Sequence, residues 1–339
     1  MSKTAVVILN YNGKNWLQKF IPNVLENSKE DADVVIIDNY STDGSVEFIE
    51  TKFGNQLQLI QLNQNFGFAG GYNKGLQNLA YDFYILLNSD VEVTPNWIKP
   101  IISQLEADTS IVAVQPKILS YKDKAFFEYA GAAGGFIDKY GYPFCRGRIF
   151  TTIEKDCNQY DDIKEVFWAS GACFFVRASS FIQEGGFDES FFAHMEEIDL
   201  CWRLKNKGGK IFFNPNSTVF HVGGGTIEYE SPRKIFLNFR NSLFMIHKND
   251  SRNIFLLLLV KLVLDGAAGI RFLLLGKPIL TLNILKAHLH YYKSISRLNK
   301  IREKQQNKDV KKLLGFYNKS ILRSYFFKNK KTFKEIILN

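Results

Sequence analysis

Two acidic clusters hold the side chains in this chain best suited to chemistry on a phosphate-bearing substrate. The first is Asn88-Ser89-Asp90, which follows the apolar run Phe83-Tyr84-Ile85-Leu86-Leu87. Such a run reads as a buried strand. A strand that leads straight into an Asp sets a carboxylate at the carboxyl edge of a sheet, where open α/β folds bind ligands. A hard cation such as Mg²⁺ or Mn²⁺ takes carboxylate oxygens together with substrate phosphates, so Asp90 is a candidate ligand. The second cluster is Glu196-Glu197-Ile198-Asp199, at the start of a helical pattern. The helix dipole stabilises acids in a first turn. Three of them exceed what a cap requires, and a carboxylate is a competent general base. His221 ends an apolar segment before Gly223-Gly224-Gly225 and offers an imidazole to complete a cation's shell. A cation site and a base together suggest transfer onto a hydroxyl group.

The elements that must position these groups alternate. Strands are expected at residues 6–10, 33–38, 57–61, 83–87 and 111–114. Helical spacing is expected over 16–25, from Asn65 to Leu79, and over 97–105. This βαβ rhythm predicts an α/β fold with a mostly parallel sheet and right-handed crossovers. Asp38 ends the second strand and could hydrogen-bond a base or ribose, or simply cap a helix. Asn65, Gly67 and Gly71 form a turn where backbone could approach a nucleotide. From Tyr121 to Asp162 five glycines point to hairpins or a mobile insertion. Strands are expected at 166–170, 172–176, 210–213 and 218–221. A helix over 196–207 should stop at Gly208-Gly209, and the glycine run after His221 is suited to moving over a ligand. Beyond Ser231 the pattern is helical.

Composition narrows the class. With 339 residues and 46% hydrophobic content the chain can bury one large core or two smaller ones. Met1-Ser2-Lys3-Thr4 leads directly into a strand, so no leader peptide is expected. The four cysteines lack metal or CxxC spacing, as suits a reducing, cytoplasmic setting. The net charge is +9, but residues 293–339 hold fourteen Lys and Arg against three Asp and Glu. No nucleic-acid module accompanies this basic tail, so nucleic acid is not an expected partner. Residues 253–289 are apolar but interrupted by Lys261, Asp265 and Arg271, too often for a spanning helix. Helices lying in a membrane interface beside a basic tail would bind an anionic surface, at the inner face of the plasma membrane; the alternative is helices packed on the catalytic domain with a solvated tail.

The ordered segments Val6-Val7-Ile8-Leu9-Asn10-Tyr11-Asn12, Ile36-Ile37-Asp38-Asn39-Tyr40-Ser41-Thr42-Asp43-Gly44-Ser45, Asn63 to Asn73, and Leu86-Leu87-Asn88-Ser89-Asp90-Val91 resemble glycosyltransferase family 2. Ser170-Gly171-Ala172, Gly186-Phe187-Asp188-Glu189, Glu196 to Arg203 and His221-Val222-Gly223-Gly224 continue the likeness, nearest to the bacterial rhamnosyltransferase-like branch of surface polysaccharide synthesis. The resemblance implies a GT-A fold over residues 1–230, with a helical, basic extension over 231–339. It implies inverting, metal-dependent transfer of a sugar from a nucleotide-diphosphate donor, dTDP-rhamnose or a UDP-sugar, to a glycan or polyprenyl-diphosphate-linked acceptor. Asn10, Asp38, Asn65, Gly67, Asn73, Asn88 and Ser89 would serve the donor. Asp90 and His221 would hold Mg²⁺ or Mn²⁺. Glu197 would be the base, at a position where the family usually has Asp, with Glu196 and Asp199 orienting it or binding acceptor. A sugar-phosphate nucleotidyltransferase would need a Gly- and Arg-rich phosphate loop, and residues 8–16 lack Arg. A non-catalytic assembly scaffold would have little use for Asp90, Glu197 and His221 together.

Overall fold

The computed structural model describes residues 2–223 and 231–337. Its centre is a twisted sheet in the order Lys164–Glu165, Lys210–His221, Ile111–Ser120, Cys173–Arg177, Phe83–Asn88, Thr4–Asn10, Asp33–Asp38, Gln58–Gln61, with Val91–Val93 paired to the long Lys210–His221 strand. Thr4–Asn10 lies parallel to both Asp33–Asp38 and Phe83–Asn88. Their apolar runs are buried on both faces, as helices covering a parallel sheet require. Because the strands run the same way, Asn10, Asp38 and Asn88 finish at one edge. Asn10 is directly opposite Asp38, and Leu9 opposite Asn88.

Several local expectations change. Cys173–Arg177 enters the sheet antiparallel to both of its neighbours. Residues 166–170 form no strand, only an isolated bridge between Trp168 and Gly135. The segments at 210–213 and 218–221 are one strand with an irregularity between Asn214 and Thr218. There the chain bulges and resumes pairing, which sequence periodicity reads as an interruption.

The glycine-rich stretch makes hairpins in a second sheet, ordered Thr152–Ile153, Arg148–Ile149, Pro143–Cys145, Gly135–Asp138, Phe316–Tyr317. Its last strand comes from the basic tail. Phe333 packs on Phe136, with centroids 4.8 Å apart, and Ile321 N–H donates to the buried Asp138 carboxylate at 2.9 Å. Residues 293–337 are therefore a folded part of the molecule and not a solvated tail. The expected boundary at 230/231 separates elements but not cores: Leu243 and Phe244 share one apolar cluster with Phe174 and Phe191.

After Ser231, Pro232–Asn249 packs on Pro278–Lys304, and Ile254–Leu274 completes a three-helix layer. Among the described residues no helix is long and apolar enough to cross a membrane. Gly224 and Gly225, where a moving loop was expected, lie outside the described residues.

Candidate active site at the sheet edge

The donor side begins with two strand ends. Asn10 Nδ2 donates to Asp38 Oδ1 (2.9 Å) and to Ser41 Oγ (3.0 Å). Asp38 also accepts from Ser41 N–H at 2.9 Å. This fixes the loop after the second strand, with Tyr11 and Tyr40 exposed beside it. Asn10 Oδ1 is buried without a partner. Ser89 lies near it, because a Cβ on Gly13 would come 2.5 Å from that oxygen and 3.6 Å from Ser89 Oγ. An unmatched buried acceptor costs about 1–3 kcal/mol, and a ligand donor at this edge would remove that cost. Asn65, exposed nearby, accepts from Asn39 Nδ2 at 3.1 Å and Gly67 N–H at 2.8 Å.

Two donor assignments change. Gly67 has φ +74, and a Cβ there would sit 2.6 Å from the Phe192 ring. Its freedom serves packing of a loop. Asn73 is spent on Phe187, donating to its carbonyl (2.8 Å) and accepting from its N–H (2.9 Å). It clamps the 186–189 loop from behind.

The cation candidates do meet. His221 ends its strand beside Val91, which brings Nε2 to 3.1 Å from Asp90 Oδ1 and 3.4 Å from Asn88 Nδ2. The other ring nitrogen lies 3.2 Å from Glu128 Oε2. All three ionisable groups are buried. Burial disfavours a charged imidazole, but Glu128 and Asp90 outweigh it and push His221 up to about 10. Glu128 carried no signal in the sequence, since it stands alone in the irregular stretch before the second sheet. Its place behind the imidazole is the usual one for a carboxylate that orients a metal-binding His.

Among the described residues no three His, Cys, Asp or Glu side chains are set to hold a metal by themselves. The pair fits a substrate-completed site instead. A carboxylate oxygen and an imidazole nitrogen 3.1 Å apart match adjacent ligands of an octahedral cation, about 3 Å apart for bonds of about 2.1 Å.

The acidic helix Glu196–Asn206 follows a strained approach. Phe192, His194 and Met195 all have positive φ, at 64°, 69° and 71°. Such conformations cost about 1–3 kcal/mol each and persist only where surroundings enforce them. The enforcer is the Pro232–Asn249 helix. Asn241 Nδ2 donates to the carbonyls of Phe191 (3.0 Å), Ala193 (2.9 Å) and His194 (2.8 Å). Arg240 adds bonds to Ser190 and Phe191.

Glu197 then lies beside the strand-edge turn. A Cβ on Gly171 would be 3.8 Å from its Cγ, and Ala172 C=O accepts from Asn88 N–H at 3.1 Å. Glu197 is half-buried and Glu196 fully buried, each with one carboxylate oxygen unpartnered. Burial pushes Glu197 up to about 7, against backbone N–H groups of the same turn that favour its anion. Burial and then Glu197 itself raise Glu196 well above the ordinary carboxyl range. A carboxylate with this elevation is suited to accept a proton near neutrality.

Asp199 is not at the site. Fully buried, it is bonded to Arg203 Nε (3.0 Å), Lys248 Nζ (3.0 Å) and Asn249 Nδ2 (2.7 Å). Lys248 also reaches Asp188 at 2.6 Å. This network ties the acidic helix to the Pro232–Asn249 helix. Arg203, one turn on, and Lys248 and Asn249, far along the chain, supply its buried partners.

A mixed sheet with the Asn88-Ser89-Asp90 turn at its edge and a carboxylate across from it is the layout of a GT-A glycosyltransferase. Solved structures share that fold. GalNAc-T7 with UDP, GalNAc and Mn²⁺ aligns at TM-score 0.59 and 18% identity over 74% of this chain. This chain spans about half (49%) of that one. The mannosyltransferase PcManGT from Pyrobaculum calidifontis, with GDP-Man and Mn²⁺, aligns at TM-score 0.52 and 14% identity over 89% of this chain and 84% of its own. Residues 5–181 match glycosyl transferase family 2. The chain belongs to that family and is a glycosyltransferase. Among its relatives, the N-acetylglucosaminyl-diphospho-decaprenol L-rhamnosyltransferase of Mycobacterium tuberculosis is 27% identical over 64% of this chain and 75% of its own length. Rhamnosyltransferase WbbL of Escherichia coli K12 is 24% identical over 64% of this chain and 82% of its own.

Proposed function

We propose that this enzyme transfers a deoxyhexose such as rhamnose from a nucleoside-diphosphate donor to a hydroxyl of a polyprenyl-diphosphate-linked glycan, with inversion, in surface polysaccharide synthesis. The observation that carries the reading is the convergence of Asp90, His221 and Glu197 on one sheet edge, next to the Asn10–Asp38 pair. The names of the two rhamnosyltransferase relatives support the sugar and the acceptor.

Asp90 and His221 would hold a divalent cation with the donor diphosphate. When bound, the cation neutralises charge on the leaving diphosphate. Glu128 keeps the His221 ring oriented. Asn10, Asp38 and Asn65 frame the nucleoside. Glu197 takes the proton from the acceptor hydroxyl as that oxygen attacks the anomeric carbon from the face opposite the leaving diphosphate. That bond forms as the sugar–phosphate bond breaks, so no protein nucleophile is needed.

The acceptor's lipid would bring the enzyme to a membrane surface. The hairpin Ile254–Leu274 and Pro278–Lys304 supports this because it is inside out. Lys261 and Asp265 are buried against each other, with Tyr142 and His288 on the same carboxylate, while Phe255, Leu259, Val263, Ile270 and Leu274 face outward. Contiguous exposed apolar surface of this kind marks an interaction site.

The test is transfer from dTDP-rhamnose to N-acetylglucosaminyl-diphospho-polyprenol with Mn²⁺ or with chelator. Metal-dependent product with an inverted anomeric centre is expected. Metal-independent turnover, or retained configuration, overturns the mechanism. Turnover with a UDP-sugar alone overturns only the rhamnose assignment.

A further inference from the structure

The helices Pro232–Asn249 and Pro278–Lys304 leave between them an open cleft of about 540 Å³. Arg233, Phe236, Lys286, Leu289, His290 and Lys293 line it, and among the described residues none of its lining is acidic. Several buried cations elsewhere are matched: Arg203 with Asp199, Lys205 with Glu165, Lys248 with Asp188, Lys261 with Asp265. Among the described residues the exposed Arg233, Lys286 and Lys293 gather at the cleft with no acidic side chain in its lining.

Its position is equally specific. Lys286, Leu289, His290 and Lys293 recur at i, i+3, i+4 and i+7, so they share one face of their helix. The opposite wall carries Arg233, whose guanidinium stacks 4.6 Å from the Phe192 ring. Phe192 belongs to the strained loop that delivers Glu197 and packs against Gly67 at the start of a sheet-edge helix. One end of the cleft therefore touches the loop that leads into the acidic helix. The other end meets the outward apolar row of Ile279, Leu282, Leu285 and Tyr292, and Leu289 belongs to both surfaces.

We propose that this cleft seats the diphosphate of the lipid-linked acceptor, its polyprenyl chain leaving over the apolar face of the hairpin and its sugar directed to Glu197. The inference rests on the lipid-linked acceptor proposed above. Charge complementarity selects the occupant. A diphosphate presents several anionic oxygens to the Arg233 fork and to two lysine point charges. An uncharged base or glycan would make no use of the three cations. The volume is that of a small-ligand site, enough for a diphosphate with the first sugar.

Farnesyl diphosphate, with the full chain in neutral detergent micelles, is the probe. Binding is compared with farnesol, and phosphatidylglycerol vesicles are the competitor. Wild type should bind farnesyl diphosphate at least tenfold more tightly than farnesol. Lys286→Glu combined with Lys293→Glu should weaken it at least tenfold, and Arg233→Ala should weaken it severalfold, without lowering the melting temperature. Equal affinity for farnesol overturns the proposal, as does indifference to the charge reversals. Competition by phosphatidylglycerol as effective as unlabelled farnesyl diphosphate also overturns it, since the cleft would then be a general head-group surface. No donor enters this assay. Intact sugar transfer with failed diphosphate binding sinks the cleft alone, and the reverse outcome sinks the proposed activity alone.

Discussion

Two helices of this enzyme handle charge in opposite ways. Glu196–Asn206 turns Asp199 inward, where Arg203, Lys248 and Asn249 satisfy it, and leaves Glu197 with an unpartnered oxygen at the sheet edge. Ile254–Leu274 also buries a charge pair, Lys261 with Asp265, but covers its outer face with leucine, valine and phenylalanine. The first helix is finished by the protein itself, apart from the group it offers to substrate. The second is finished only by something apolar outside it. In both, the buried ion pair is a fastener, and the unsatisfied surface is where function is sought.

The comparison can be broken at four points. The largest effect is expected at Asp90→Ala, which removes the carboxylate of the cation pair. Transfer should fall about 10³-fold or more in the folded variant, which keeps Glu128 beside His221. Near-normal turnover of the folded variant would place the diphosphate elsewhere.

Glu197→Gln comes next, with an expected loss of about 10²–10⁴-fold in kcat and retained donor binding. The wild-type rate should rise with pH through about 7, since Glu197 must lose its proton to act and its carboxyl is pushed up to that value. The glutamine variant should lose this acid limb. If Glu196→Gln is the inactive variant instead, the base is the neighbouring residue.

Lys248→Met tests the fastener. It leaves Asp188 and Asp199 buried without their shared cation, which should destabilise the fold by about 3–5 kcal/mol in denaturant titration. Burial alone would raise Asp188, but Lys248 overrides this and holds its carboxyl down to about 2. The associated stability is present above the unfolded carboxyl's ordinary value of 3.8 and is lost as pH falls through about 2. The variant should lack that acid-side loss. An unchanged unfolding midpoint would show the network to be ornamental.

The smallest effect is expected from Val263→Asp on the outer face of the hairpin. It should lower sedimentation with anionic vesicles severalfold and leave the melting temperature within a degree or two, because Val263 is exposed. Unaltered vesicle binding would remove the hairpin from the membrane contact.

By itself, the sequence determined the local chemistry and the order of the elements. Apolar runs ending in Asn10, Asp38 and Asn88 are strand ends whatever surrounds them, and the paired acids of Glu196 and Glu197 read as a helix start. Parallel pairing then brings the strand ends to one edge almost of necessity. Periodicity could not say which of several nearby polar groups faces a ligand. Asn73 and Asp199 looked like site residues and became clamps, because their partners, Phe187, Lys248 and Asn249, are fixed only by long-range packing. Glu128 was invisible for the same reason: nothing near it in the chain marks it, yet the sheet carries it to His221. The basic tail was decided by tertiary structure too. Its charge suggested a segment given over to an anionic surface, but Phe316, Ile321 and Phe333 hold it on the second sheet. Local pattern reports a residue's own preferences, and only the folded chain decides which distant groups satisfy them.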